Sequence, residues 1–103
     1  MTKNIIQSEN EQLVELCGFN GNLPGLVSGL CAETGEIADL VAKIEGWKKI
    51  KSTDNIDNLI DDLKGEVADV LVYLCQIATK YEIDIEEAFL DKIEKIKSRT
   101  FVN

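Results

Sequence analysis

The sequence predicts an all-α fold, a four-helix bundle completed by homo-oligomerisation, from three observations. Apolar residues recur at three- and four-residue steps in four successive stretches, and no stretch reads convincingly as a strand. Helix-starting and helix-stopping residues bracket those stretches. The third stretch is apolar nearly all round, so it must be covered on more than one side.

Ser8 and Glu11 form a capping-box pattern that opens a short first helix from Glu9 to about Cys17. "GFNGNLPG", Gly18 to Gly25, is a loop rich in breakers. Asn22 is the N-cap of the second helix, with Pro24 tolerated in its first turn. Leu26, Leu30, Ile37, Val41 and Ile44 give that helix one apolar face, and Gly46 stops it after Glu45. A basic loop, "WKKIKSTDN", carries the only Trp. The third helix runs from Asn55 or Ile56 to about Lys80, and Asp84 with Glu87 caps a fourth that ends near Ser98. No repeat or second domain interrupts residues 1–103, which read as one domain.

In the third helix, Val67, Val70, Leu71, Leu74 and Ala78 make one apolar stripe, and Ala68, Val72 and Cys75 a second beside it. At ~1.5 Å per residue this helix is roughly 37 Å long, beyond what the first or last helix can cover. A second copy of the chain is the expected cover, giving a homodimer or a dimer of dimers through the Val72/Cys75 side.

Composition narrows the chemistry. With a net charge of −8, a nucleic-acid backbone is repelled, so no nucleic-acid partner is expected. No apolar run suits a membrane span or a signal peptide, and the reading is a cytoplasmic protein without a membrane partner. The absence of histidine removes Ser-His-Asp and Cys-His catalysis and His-ligated zinc. Cys17, Cys31 and Cys75 are far apart and read as small core fillers. Any metal is then held by oxygen, which points to Mg²⁺ or Mn²⁺.

One feature of the second helix breaks its own pattern. Glu33 stands in the apolar stripe where a Leu is expected. With residues placed about 100° apart around the axis, Glu33 and Glu36 fall on one flank of the second helix, and Glu66 and Asp69 on one flank of the third. If the two helices are antiparallel with stripes facing, the two pairs converge. Two like charges ~4 Å apart repel by about 4 kcal/mol at an effective dielectric near 20, so four clustered carboxylates call for a counter-ion. One or two divalent cations supply it and attract a polyphosphate. A single Glu on a helix flank is ordinarily solvated; two pairs on matching flanks are not explained that way. Asp61 and Asp62 read as solvated, with Asp62 one turn before Glu66 and near enough to be a neighbour of the cluster.

"LCAETGEIADL" (Leu30–Leu40), "LKGEVADVLVYL" (Leu63–Leu74) and "EIDIEEAFLDKIEKIKSR" (Glu82–Arg99) together resemble the MazG-like nucleotide pyrophosphohydrolases. The resemblance covers Leu26 to Arg99. It implies an all-α hydrolase that uses Mg²⁺ to cleave nucleoside triphosphates to the monophosphate and pyrophosphate, in house-cleaning or control of nucleotide pools. Glu33, Glu36, Glu66 and Asp69 match its metal ligands, with Glu33 or Glu36 as the general base. Tyr73 matches a position lining the nucleotide site. Lys92 and Arg99 match the basic positions of a K-x-x-x-N-x-x-R signature, from which the chain departs at Ile96. The stretch between Glu36 and Glu66 is long for the family, and its extra residues fall in the loop from Trp47 to Asp54, a candidate lid.

In that loop Lys48 is a candidate phosphate contact, with the solvated loop as its alternative, and Trp47 is either a platform for a base or a packing anchor. Two other functions compete with triphosphate cleavage. One is hydrolysis of another phosphorylated nucleotide or a phosphoribosyl compound. The other is a non-catalytic helical module for oligomerisation or interaction, which leaves the matched acidic flanks unexplained.

Overall fold

The computed structural model describes residues 5–17 and 22–101. The described residues form four helices: α1 (Ile5–Cys17), α2 (Leu23–Ile44), α3 (Ile56–Lys80) and α4 (Ile85–Phe101). The all-α expectation therefore holds, and each end has a local cause. Asn22 caps α2 by accepting a hydrogen bond from the Gly25 N–H at 2.8 Å, with Pro24 in the first turn. Past Glu45 the backbone turns into the left-handed region at Gly46 (φ 77°), where a side chain is disfavoured. Asn55 and Asp84 accept from the N–H groups of Asn58 and Glu87 at 2.9 and 3.0 Å and start α3 and α4.

The first helix departs from the reading. It begins at Ile5, so Ser8 lies inside it and not at its cap. The Gly18–Gly21 part of the loop and the Cys17 side chain lie outside the described residues.

The chain divides into two compact units. One comprises Met1–Asn20 and Cys75–Asn103, the other Gly21–Leu74, so α3 runs from one into the other. In the first, Gln7 is buried and clamps the turn before α4: its amide N–H donates to the Ile83 carbonyl and its amide oxygen accepts from the Ile85 N–H, both at 3.0 Å. A buried amide that satisfies two backbone groups fixes the path of that turn.

The second unit holds α2 and α3 up to Leu74. Gly29 lies against Tyr73, Glu33 against Glu66 and Asp69, and Leu40 shares a cleft with Asp61 and Asp62. Numbers rise along α2 as they fall along α3, so the two helices are antiparallel, the arrangement needed for the acidic flanks to meet. Leu26 and Leu59 are buried here, while Val41 is 43% exposed, so the apolar face of α2 thins out toward its C-terminal end.

The two stripes of α3 do not divide as expected. Cys75 is fully buried and Val72 half-buried, whereas Val67, Leu71 and Leu74 are exposed. In the first stripe Val70 is half-buried and Ala78 buried, and in the second Ala68 is exposed, so each stripe is covered in part and Cys75 does not lie on a free face. Of the cysteines, Cys75 is the expected core filler, and burial raises its thiol pKa. Cys31 is exposed and is no core filler.

Candidate metal centre

Glu33 enters from α2, and Glu66 and Asp69 from α3 at positions three apart, neighbours on one helix ridge. Their carboxylate oxygens can be chosen so that all lie within 4.8 Å of one another. Glu33 and Glu66 are half-buried and Asp69 is exposed, so the cluster sits at the floor of an open site. Glu33 lies in the apolar stripe of α2, and its carboxylate reaches across to α3.

The electrostatics are costly with the three groups alone. Glu33 Oε2 and Glu66 Oε2 are each buried with no hydrogen-bond partner. When both groups are ionised, neither oxygen faces a donor. The Glu66 carboxyl is accordingly pushed up from 4.5 to about 8, first by sharing a proton with Glu33, then with Glu36, then by burial and by the charges of both. A proton on Glu66 relieves the repulsion in part. A hard cation would do so by offering both orphaned oxygens the partner they lack. The all-oxygen donor set suits Mg²⁺ or Mn²⁺ and has no soft ligand for zinc or copper.

Glu36 is outside this group of three. It is exposed one turn further along α2 and lines an adjoining cleft of about 500 Å³ with Asp39, Leu40, Asp61, Asp62, Gly65, Glu66 and Asp69. Asp62 is thus a neighbour of the site, and Asp61, read as solvated, also borders it.

Asp39 was not visible as a site residue, although it lies three residues beyond Glu36 on the same ridge. It holds Lys43 at 2.8 Å and also pairs with Lys48 from the following loop. These bonds, Lys43 first, hold its carboxyl down at about 2. Lys48 is further anchored by its N–H, which with that of Trp47 donates to the Ala42 carbonyl at the end of α2. The basic loop therefore begins at the rim of the cleft. Trp47 is 89% exposed and is not a packing anchor.

Tyr73 lies one turn beyond Asp69, half-buried, with its ring against the backbone of α2 at Gly29. Lys92, Ile96 and Arg99 lie on α4, where the first and last, seven residues apart, share a face and are both exposed. Gly29 escaped the sequence reading; the signal was an isolated glycine inside a helical pattern, which calls for a packing reason.

The MazG nucleotide pyrophosphohydrolase domain family matches residues 23–101, most of the chain and every residue of the cluster. The chain belongs to the MazG family. The gene 37 protein of Mycobacterium phage L5 is 29% identical to this MazG chain over 85 residues, covering 81% of the chain and 70% of the phage protein. No solved structure matches the chain significantly. Among the described residues, no helix is long and apolar enough to cross a membrane.

Proposed function

We propose that this MazG domain, residues 1–103, hydrolyses nucleoside triphosphates to the monophosphate and pyrophosphate with Mg²⁺, Mn²⁺ being a substitute. The observation that carries the reading is the meeting of Glu33, Glu66 and Asp69 with two buried carboxylate oxygens lacking any donor. Acidic residues on a merely solvated face have no such orphaned atoms.

Glu33, Glu66 and Asp69 hold the cation, and Glu36 completes its surroundings from the cleft. Bound there, Mg²⁺ supplies neutralisation of the triphosphate charge and acidification of a water. Glu36 is the general base: it is exposed, it lines the cleft by which water and substrate would enter, and, unlike the equally exposed Asp69, it is not one of the three converging ligands. It takes the proton as water oxygen attacks the α-phosphorus. The bond from that phosphorus to the bridging oxygen breaks, and pyrophosphate leaves. Phosphoryl transfer asks for positioning and charge stabilisation more than covalent help, and the chain supplies both.

Lys48 is poised at the rim to exchange Asp39 for a phosphate oxygen. Trp47 stands exposed beside it, at this phosphate end of the site. Tyr73 faces the nucleoside, and Lys92 and Arg99 contribute positive charge through their match to the family signature. Assembly as a homodimer or a dimer of dimers is part of the same reading, supported by the exposed row of Val67, Leu71 and Leu74 on α3.

The test is a panel of ribo- and deoxynucleoside triphosphates with Mg²⁺, with pyrophosphate and orthophosphate resolved. Pyrophosphate with monophosphate is expected. Orthophosphate alone points to a different phosphatase reaction, and no turnover of any nucleotide rejects the proposal.

A further inference from the structure

Gly29 is a mid-helix glycine with a specific neighbour. A Cβ placed on it would stand 2.5, 2.6 and 2.7 Å from Cε1, Cζ and Oη of Tyr73, inside the approach that real Cβ atoms make. The helical glycines Gly35 and Gly65 would meet nothing within 4 Å. Glycine weakens a helix interior relative to alanine, so space for the ring is the physical reason for one at position 29.

The place of this pair gives it a consequence. Gly29 precedes Glu33 by one turn on α2, and Tyr73 follows Asp69 by one turn on α3. The ring therefore stands at the end of the carboxylate cluster, opposite the end where the Asp39–Lys48 pair marks the cleft rim. A phosphate chain that starts at Lys48 and crosses the cluster brings its nucleoside to the Tyr73 end.

We propose that Gly29 is a positioning residue: its bare backbone seats the Tyr73 ring at the nucleoside end of the site, and the seated ring sets how tightly the nucleoside is held. The inference rests on the nucleotide reading above and deepens it. An Ala at position 29 collides with the far end of a side chain that has two rotatable bonds, so the ring swings away and the helix stays. The effect falls on substrate binding, because neither residue touches the reacting phosphorus.

The experiment is a mutant cycle on the full chain, with steady-state kinetics and melting temperature in Mg²⁺. Gly29→Ala is expected to raise KM roughly tenfold while kcat stays within about twofold, the pattern of lost uniform binding. The same change is expected on a Tyr73→Phe background, which keeps the ring. On a Tyr73→Ala background Gly29→Ala is expected to do nothing further, since the partner is gone. Equal effects in all three backgrounds overturn the proposal, as does a fall in kcat with KM unchanged. Absence of turnover by wild type rejects the nucleotide reading itself. The seating of the ring is then decided by melting temperature: a drop on Gly29→Ala that vanishes with Tyr73→Ala sustains it, and an equal drop in both backgrounds overturns it.

Discussion

Glu66 is where the opposing demands on the site concentrate. Its folded pKa, about 8, lies above the ordinary 4.5, so folding favours its protonated form. Stability from this group is fully present below pH 4.5 and is lost as pH rises through 8. The metal-free protein is therefore expected to melt at progressively lower temperature between those values. Saturating Mg²⁺ should flatten the profile by binding the ionised form, and Glu66→Gln should flatten it without metal. Melting scans across that pH range, with chelator and with Mg²⁺, check this; a metal-free profile that rises over the window refutes it. Glu66→Ala should leave the circular dichroism helical and reduce turnover at least about a hundredfold, as expected when a charge-stabilising element of the site is lost. Glu36 separates two roles that the motif alone leaves joined. As base and not principal ligand, Glu36→Gln should lower kcat by about 10²–10⁴-fold while the melting shift produced by Mg²⁺ persists. Loss of that shift as well would make Glu36 a ligand.

The site depends on a helix that is well secured at both ends. Asn22 and Gly46 define α2, and the pairing of Asp39 with Lys43 and Lys48 ties its last turns to the loop that follows. Asn22→Ala removes the side-chain bond to the Gly25 N–H at the start of the helix that carries both Gly29 and Glu33. A lost N-cap costs ~1 kcal/mol, which for a domain of this size lowers the melting temperature by about 4–8 °C. Thermal or urea unfolding reads this directly, and an unchanged midpoint would mean that water replaces the cap at no cost. The first helix shows the limit of such local signals. Ser8 and Glu11 form a good capping box on paper, yet α1 already includes Ile5, the first described residue. The apolar Ile5 and Ile6 carry no start signal, and a helix already running past Ser8 leaves its cap unused.

For the molecule as a whole, the exposed apolar row on α3 makes assembly the central issue. Val67 is 54% exposed, and Leu71 and Leu74 are exposed beside it, on the helix that also presents Glu66 and Asp69. Large adjacent apolar groups at a helix surface favour contact with another protein surface. Sedimentation at micromolar concentration is expected to give a mass above that of the monomer. Val67→Lys should shift it toward monomer, because burying an ammonium without a partner is costly. Substitution at half-buried, ion-paired Lys43, which lies on α2, should not. A strictly monomeric wild type refutes the assembly.

The sequence by itself determined the helices and carried the motifs of the MazG family. Periodicity and side-chain caps act within a few residues, so α2, α3 and α4 were legible to within a residue or so at their starts. The intrusion of Glu33 into an apolar stripe, with Glu66 and Asp69 on the matching flank, was legible for the same reason: one helix face is a local property. Which flanks meet, and which faces stay open, depends on how helices pack. Only the tertiary structure brought Glu33 to Glu66 and Asp69 while leaving Glu36 in the cleft, turned Asp39 into the anchor of Lys48, and set Tyr73 against Gly29. It also buried Cys75 and left Val67 uncovered. An apolar period says that a face prefers burial; the shape of the neighbouring surface decides which face obtains it.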